Sequence, residues 1–475
     1  MKTPLFIIVY FFFAFPLLAQ NSTDIVYLST TESLQQRQAP SWYNNAKFGI
    51  FIHWGLYSVP AWATPTTTPD KVTNWRAFYE NNPYAEWYLN SLRINGSPTQ
   101  LYHEKKYGKS FDYYNFKDTL ITKTAQWNAN SWADIFSKAG AQYVVLTTKH
   151  HDGFVMYPSK IANPFMAKDA ITSQRDYVGE LCKAIREKQM KFGVYYSGGL
   201  DWTFNQSPIT NLWPDLFESI PKSIAYTIYA DCQVHELIRL YKPDILWNDV
   251  NYPKNGDVLG IFSELFNLNP SALVNDRWGQ YQELTNFTTP EYKVMDSLVT
   301  KKWETCRGIG YSFGYNQVEN DQQLLSSNEL VNLFIDIISK NGNLLLNIGP
   351  KADGTIPENQ LKRLNDLGNW LQMNSEGVYD SHAWKTPATK LKDGTEIRFT
   401  QKKQDLFVFL LSSTKEKTIK IPFCKITKKT RATFYGNTME TLAIEVLNDG
   451  IMIKLPEKMD FKFAKMIKIS DIINE

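Results

Sequence analysis

The sequence predicts an α/β protein in which a (β/α)8-like barrel is followed by a small antiparallel β-sandwich. Short, nearly continuous apolar runs alternate with helical patterns from Lys47 to about Met373, as in parallel strands that are buried on both faces. The alternation extends over roughly 300 residues, enough for a complete barrel. After about Trp384 the apolar residues recur at every second position, which is typical of half-exposed antiparallel strands.

Six segments are predicted to be parallel strands of the barrel, and polar or aromatic residues follow each one. They are residues 48–52, 143–148, 191–196, 245–247, 272–274 and 344–346. Closure into eight strands is inferred from the length of the repeat, since only six good strands are found.

Amphipathic patterns between and after these runs predict the barrel helices, and alternating patterns predict the sandwich. The helices are expected at residues 131–139, 175–188, 229–241, 327–340 and 358–373. The sandwich strands are expected at residues 396–400, 418–422, 451–455 and 461–469. We therefore expect a barrel domain at residues 20–385 and a sandwich domain at residues 386–475.

The first residues have the pattern of a secretory signal peptide. Lys2 is followed by an apolar run at residues 5–18, and Ala19 offers a small residue at a cleavage point. We expect residues 1–19 to be removed near Ala19, and the protein to be periplasmic or secreted. The run is short for a membrane span, so no integral membrane association is expected, with an uncleaved anchor as the alternative.

Composition excludes some classes of partner. The chain has 51 basic and 48 acidic residues, a net charge of +3 and no polybasic run, so neither nucleic acid nor an anionic membrane surface is expected to bind. The 14 Trp, 26 Tyr and 28 Phe include many in loops of the first third, where they suit sugar rings, although large cores explain most of them.

The four cysteines have no metal-site spacing, and a chain of this length needs no disulfide framework. Cys182 and Cys232 fall in helical patterns and are predicted to be buried thiols.

The stretch from Tyr241 to Asp249 carries the first indication of chemistry. Pro243 ends a helix, and residues 245–247 lead straight into Asp249 with no turn residue between them. In a parallel barrel, side chains at the carboxyl ends of strands point into the active-site mouth. The alternative is an ordinary loop aspartate that caps the next helix.

Other polar and aromatic residues are expected at the same end of the barrel, where they would form one pocket. They are His53, Glu86, His150, His151, Tyr195, Trp247, Arg277, Glu291 and Glu304. A metal site at His150 and His151 is disfavoured, because adjacent residues on an extended chain point in opposite directions and no paired histidine spacing supports it. Neutral imidazoles can instead bind sugar hydroxyls.

Two carboxylates in such a pocket would suit the hydrolysis of a glycosidic bond. One carboxylate attacks or activates water, and one carboxylic acid protonates the departing oxygen. Asp249 is the candidate for the first role, while Glu291 and Glu304 compete for the second.

Several motifs, in order along residues 25–385, resemble family 29 of the glycoside hydrolases, the α-L-fucosidases. They are KFGIFIHWG at 47–55 with YSVP at 57–60, YAEWY at 84–88, KHHDGF at 149–154, LWND at 246–249, WE at 303–304, GIGYSFGYN at 308–316, and GNLLLNIGP at 342–350 with DG at 353–354.

The resemblance implies a retaining exo-α-L-fucosidase that acts on fucosylated glycans or oligosaccharides and needs no metal or other cofactor. By similarity, Asp249 is the nucleophile and Glu291 the acid/base, with Glu304 as the alternative acid/base. The positions that hold fucose are matched by His53, Glu86, Trp87, His150, His151, Tyr195, Trp247 and Arg277, and Phe313 would pack against the methyl group. Tyr195 is favoured over the adjacent Tyr196.

Two other functional classes stay open beside this interpretation. One is a fucose-binding lectin descended from such an enzyme, which would be expected to lack one of the two carboxylates. The other is a metal-dependent hydrolase that uses His150 and His151. The sequence leaves the natural glycan and the oligomeric state open, with a homo-oligomer among the expected forms.

Overall fold

The computed structural model describes residues 26–436 and 438–473, so the predicted signal peptide lies outside the described residues. Within them, seven parallel strands form one curled sheet in the order β5-β4-β3-β2-β1-β7-β6. The strands are β1 (Phe48–Ile52), β2 (Tyr143–Lys149), β3 (Lys191–Ser197), β4 (Ile245–Asp249), β5 (Leu273–Val274), β6 (Trp303–Gly308) and β7 (Gly342–Ile348). The predicted α/β barrel architecture is confirmed.

An irregular segment occupies the eighth position of the barrel, between β5 and β6. Isolated parallel bridges join Asn275 to Phe287 on one side, and Thr288 to Trp303 and Glu291 to Cys306 on the other. The chain at residues 287–291 therefore closes the sheet through a few hydrogen bonds rather than through a regular strand.

Strand β6 is absent from the six predicted strands. Its sequence, WETCRG, has a single large apolar residue, and Glu304 and Thr305 are completely buried. The sequence interpretation put Glu304 at or beyond the carboxyl end of a strand, whereas it is the second residue of β6. The prediction of its position was wrong, because a buried carboxylate inside a strand does not produce an apolar run.

Thirteen α-helices lie in the described part of the chain, and the long ones pack around the sheet. They are α1 (Thr31–Gln35), α2 (Trp42–Ala46), α3 (Trp75–Glu80), α4 (Tyr88–Arg93), α5 (Pro98–Tyr107), α6 (Phe116–Lys123), α7 (Ala129–Lys138), α8 (Lys168–Ile171), α9 (Tyr177–Glu187), α10 (Ile224–Tyr241), α11 (Val258–Leu268), α12 (Ser327–Ser339) and α13 (Glu358–Asn374).

The boundaries of these helices follow their capping residues. Helix α10 begins five residues before the predicted start, because the Ser223 side chain accepts a hydrogen bond from Tyr226 N. Helix α12 begins with a reciprocal capping box between Ser326 and Glu329. Cys232 lies on α10 and is exposed, so its predicted burial was wrong, while Cys182 is buried as predicted.

The described C-terminal residues form nine strands in two antiparallel sheets, ordered β13-β12-β16-β10-β9-β8 and β11-β15-β14. The strands are β8 (His382–Lys390), β9 (Glu396–Lys402), β10 (Asp405–Leu410), β11 (Thr418–Pro422), β12 (Lys425–Tyr435), β13 (Met439–Leu442), β14 (Ile444–Leu447), β15 (Gly450–Lys454) and β16 (Lys465–Ile473). No helix among the described residues is long and apolar enough to cross a membrane.

Candidate active site

A cavity of about 230 Å³ lies at the carboxyl ends of the barrel strands. Eleven of the twelve residues predicted for this pocket line it, and Glu304 does not; the eleven are His53, Glu86, Trp87, His150, His151, Tyr195, Trp247, Asp249, Arg277, Glu291 and Phe313.

The parallel topology explains this convergence. His53 directly follows β1, Tyr195 lies in the second half of β3, and Asp249 is the last residue of β4. Glu86 and Trp87 come from a short 3-10 helix, Ala85–Trp87, in the long connection between β1 and β2. Carboxyl ends of parallel strands meet at one edge of the sheet, so residues far apart in sequence share one wall.

Three groups donate hydrogen bonds to Asp249, and the His151 ring lies close by. Its Oδ2 accepts a hydrogen bond from the Tyr195 hydroxyl at 2.8 Å and lies 3.8 Å from His151 Nε2. Its Oδ1 accepts from Arg277 Nη1 at 2.6 Å and from Val250 N at 2.9 Å. Burial opposes ionisation, but the charge of Arg277 outweighs it with help from these donors, so the pKa of Asp249 lies below its usual value.

Glu291 lies on the other side of Arg277. Its Oε2 is 3.4 Å from Arg277 Nη2, and its Oε1 accepts a hydrogen bond from the Tyr84 hydroxyl at 2.8 Å. Burial raises the pKa of Glu291 above its usual value, and the negative charge of Asp249 adds to this shift. The pocket therefore contains one carboxylate that favours ionisation and one that favours protonation.

Arg277 is itself fixed against the wall of the barrel. Its Nε donates to Thr289 Oγ1 at 3.0 Å and its Nη2 to the Thr289 carbonyl at 3.1 Å. The guanidinium also lies over the Trp247 ring, 4.6 Å from its centroid. These contacts leave it little freedom to move away from either carboxylate.

His53 is neutral, with a defined tautomer. Asn347 donates its amide nitrogen to the Phe313 carbonyl at 2.6 Å, so its Oδ1 accepts from His53 Nδ1 at 2.6 Å. Burial lowers the pKa of His53 to about 3. The Nε2 atom is left as an acceptor for a ligand hydroxyl.

His151 has the same tautomer for a similar reason. The Ser197 hydroxyl donates to the Leu200 carbonyl at 2.6 Å, so it accepts from His151 Nδ1 at 2.6 Å. Burial lowers the pKa of His151 to about 4, although Asp249 opposes this shift. Burial and the neighbouring imidazoles also lower the pKa of His150 well below its usual value.

The argument that His150 and His151 point in opposite directions was wrong. Strand β2 ends at Lys149, and the two histidines belong to the turn that follows, with ring centroids 4.1 Å apart. Both line the cavity. Among the described residues, no group of three or more His, Cys, Asp or Glu side chains is placed to hold a metal ion.

Glu86 lies on the Phe313 side of the cavity. Its Oε2 accepts from Gly314 N at 2.7 Å and from the Ser312 hydroxyl at 3.2 Å. Burial raises the pKa of Glu86 to about 7, against the effect of these hydrogen bonds. The loop after β6 thus supplies both an apolar ring, Phe313, and the donors that orient a carboxyl group.

The two adjacent tyrosines of β3 lie on opposite faces of the sheet. Tyr195 lines the cavity and donates to Asp249, whereas Tyr196 donates to Gln233 Oε1 of α10 at 3.0 Å. Strand alternation therefore separates them, and Tyr195 is the one in the pocket.

Glu304 does not line the cavity. It is completely buried below the Trp247 ring, where it accepts from Trp247 Nε1 at 3.2 Å, Tyr43 Oη at 2.7 Å and Tyr143 Oη at 2.5 Å. Burial raises the pKa of Glu304 to about 7. Its contacts suit the support of the pocket floor.

Several lining residues were not predicted. Tyr84 lies in the same motif as Glu86 and contacts Glu291, so its hydroxyl could have been inferred from that proximity. The others are Phe51, Pro69, Trp75, Phe78, Tyr79, Asn82, Leu212, Leu216, Val250 and Cys306. For Trp75, Phe78 and Tyr79, the sequence signal is the concentration of aromatic residues in the first third of the chain.

The chain is similar to proteins of one family. A model of the Alpha-L-fucosidase family matches residues 15–376. The alpha-L-fucosidase of Dictyostelium discoideum is 32% identical over 451 residues, which cover 90% of this chain and 91% of that protein. The tissue alpha-L-fucosidase of Homo sapiens is 29% identical, with 94% and 92% covered. A structure of Thermotoga maritima alpha-fucosidase in complex with fucose has a TM-score of 0.83 and 42% identity, with 93% of this chain and 100% of that chain covered.

Proposed function

The chain belongs to the alpha-L-fucosidase family, and from this premise we propose that it is a retaining exo-α-L-fucosidase. It removes terminal α-L-fucosyl residues from glycans, with Asp249 as the nucleophile and Glu291 as the acid/base. The observation that carries this assignment is the pair of carboxylates on one guanidinium, Arg277, with pKa values shifted in opposite directions.

In the first step, an oxygen of ionised Asp249 forms a bond to the anomeric carbon of fucose. The bond from that carbon to the glycosidic oxygen breaks, and the departing oxygen takes the proton of Glu291. The lowered pKa of Asp249 favours the ionised form that a nucleophile needs, and the raised pKa of Glu291 favours the protonated form that an acid needs.

In the second step, ionised Glu291 takes a proton from water as the water oxygen attacks the anomeric carbon. The bond to Asp249 breaks, and fucose leaves with its original configuration. Retention is supported by Arg277, which contacts both carboxylates and so keeps them close together. Retaining glycosidases have carboxyl groups about 5 Å apart, which leaves no room for a water between them.

The remaining lining residues suit the recognition of one deoxy sugar. Neutral His53 and His151 each have an acceptor nitrogen for a hydroxyl, and Glu86 can accept or donate near neutral pH. Phe313, 5.0 Å from the His53 ring, offers an apolar surface for the fucose methyl group. A site that binds hydroxyls in this way discriminates strongly against analogues that lack them.

Export is part of the same proposal. Residues 1–19 are interpreted as a signal peptide from their sequence pattern. The fucosylated substrate is therefore expected in the periplasm or outside the cell.

Rescue by azide separates the two catalytic roles. With Asp249→Gly, azide can attack only from the face that the carboxylate vacated, so we expect β-L-fucosyl azide. With Glu291→Ala, activity should fall about 10²- to 10⁴-fold for a leaving group that needs a proton, and much less for an activated aryl fucoside. The fucosyl-enzyme of that variant still forms, so azide should give the α-product.

Glu304→Ala is the matched control. Its carboxyl group contacts Tyr43, Tyr143 and Trp247 rather than the cavity, so its loss should affect good and poor leaving groups alike. Leaving-group dependence and α-azide rescue in Glu304→Ala, with neither in Glu291→Ala, would transfer the acid/base role to Glu304.

A further inference from the structure

The cavity has two chemically different parts. Around Asp249 its lining is rich in hydrogen-bonding groups, including three imidazoles and Glu86. Its outer part, here called the mouth, is lined by Pro69, Trp75, Phe78, Tyr79, Leu212 and Leu216. None of these six side chains is charged, and only the Tyr79 hydroxyl and the Trp75 indole N–H can form a hydrogen bond.

The mouth is built by two elements that pack against each other. Helix α3 supplies Trp75, Phe78 and Tyr79, and the irregular turn Leu212–Leu216 supplies the opposite wall. Phe78 and Tyr79 are buried, whereas Trp75, Leu212 and Leu216 are half-buried and reach the surface. The charged residues of α3, Arg76 and Glu80, pair with each other at 3.1 Å and do not line the cavity.

The mouth lies beside the acid/base residue. Tyr84 donates to Glu291, and its ring is 5.9 Å from Phe78, which in turn is 5.4 Å from Trp75. Burial and the charge of Glu291 both raise the pKa of Tyr79. A row of rings thus extends from the partner of Glu291 to the surface.

We propose that the mouth is the binding site for the leaving-group sugar, which it recognises through the flat C–H face of a pyranose ring. The inference rests on the proposed function. Glu291 protonates the glycosidic oxygen, so the sugar on the far side of that oxygen lies next to Glu291, where the walls are aromatic and aliphatic. Contact with an aromatic face requires no fixed pattern of hydroxyls, so the site accepts several linkages.

The test compares a substrate that fills the mouth with one that does not. A fucosyl-galactose disaccharide has a pyranose leaving group, whereas the leaving group of α-L-fucosyl fluoride is a single atom. Trp75→Ala should lower kcat/KM for the disaccharide by about threefold to tenfold, the effect of one lost ring contact. Its kcat/KM for the fluoride and its inhibition by free L-fucose should match those of the wild type.

Leu216→Ala tests the opposite wall independently, in case Trp75→Ala destabilises the short helix α3. The matched control is Trp213→Ala, because Trp213 lies in the same turn, is 69% exposed and does not line the cavity. We expect Leu216→Ala to repeat the selective loss on the disaccharide, and Trp213→Ala to change neither substrate.

Two results would overturn the inference. They are an equal loss on disaccharide and fluoride, and no loss on the disaccharide with either wall variant. A wild-type enzyme that cleaves no fucoside would instead refute the proposed function, so the two failures can be told apart.

Discussion

At the scale of single residues, Arg277 distributes one positive charge unequally between two acids. Its distance to Asp249 is 2.6 Å and to Glu291 3.4 Å, and Coulomb attraction weakens with distance. Asp249 also accepts from Tyr195 and Val250 N, whereas Glu291 accepts one further hydrogen bond, from Tyr84. Of the two carboxyl groups, Glu291 is therefore the one that more readily holds a proton.

Tyr84 tunes the acidity of Glu291, and Tyr84→Phe should make this visible. The Tyr84 hydroxyl stabilises ionised Glu291, so its removal raises the pKa of that carboxyl. An acid must be protonated to donate, and kcat/KM falls as pH rises through its pKa. We expect the alkaline limb of the pH profile of kcat/KM to move to higher pH.

Tyr79→Phe is the control for this profile. Tyr79 lines the same cavity and senses the charge of Glu291 without a described hydrogen bond to it. The alkaline limb of the kcat/KM profile of Tyr79→Phe should stay at the wild-type pH. A limb unchanged in Tyr84→Phe, or shifted equally in both variants, would contradict the tuning role of Tyr84.

The residues of the cavity floor could be predicted from the sequence, whereas those of the mouth could not. His53, His150, Tyr195 and Asp249 lie in or just after predicted strands, so the barrel topology alone brings them together. Trp75 and Leu216 come from long connections that fold back over the barrel. The apolar pattern that predicts strands does not predict where such connections pack. Their position depends on tertiary packing.

At the scale of elements, the carboxyl end of β2 is fixed to the loop after β3 by a buried ion pair. Lys149 Nζ is 2.8 Å from Asp201 Oδ2, and both side chains are completely buried. Trp202 N also donates to the His151 carbonyl at 2.8 Å. The turn with His150 and His151 is thereby held in place by the loop that follows β3.

Removing one member of this pair should destabilise the protein strongly. Asp201→Asn leaves the Lys149 ammonium buried without its counter-charge, which costs about 3–5 kcal/mol. Urea denaturation should show this loss in the free energy of unfolding. The exposed pair Arg76–Glu80 provides the comparison, since Arg76→Ala should cost only about 0.3–0.5 kcal/mol. Similar losses in the two variants would exclude an anchoring role for the buried pair.

The barrel strands show which elements can be predicted from a sequence. The six predicted strands are apolar on both faces and were found within a few residues of their bounds. Strand β6 and residues 287–291 were not, because they carry Glu304, Thr305 and Glu291 into the barrel wall. Glu304 accepts a hydrogen bond from Tyr43, which is far from it in sequence. Buried polar residues with such partners interrupt the apolar pattern from which strands are predicted.

At the scale of the whole molecule, the sandwich has a buried cluster of its own and also contributes residues to the hydrophobic core of the barrel helices. Phe407, Phe409 and Met466 of the sandwich belong to the same buried cluster as the barrel helices. Asn332 of α12 donates to the Leu411 carbonyl at 3.1 Å, and Arg398 forms an ion pair with Asp336 of α12. We propose that residues 386–475 stabilise the barrel rather than fold as an independent accessory.

Trp370 on α13 tests this dependence, because it joins the two parts. It is 1% exposed, its Nε1 donates to the Ala464 carbonyl at 2.9 Å, and its ring is 6.1 Å from that of Phe409. Trp370→Ala should cost about 3–5 kcal/mol through the cavity it leaves. Trp370→Phe keeps most of the ring and should cost about 1–3 kcal/mol, since the Ala464 carbonyl loses its donor.

Calorimetry combined with activity measurements shows whether the barrel and the sandwich unfold as one unit or as two. If the shared core couples the two parts, the wild type and both variants melt in one transition each, at Tm values that fall from wild type to Trp370→Phe to Trp370→Ala. Fucosidase activity should disappear at the same temperature as the transition in each protein. Two separate transitions in the wild type, with activity lost in only one of them, would mean that the sandwich is an independent domain and that the barrel holds its active site unaided.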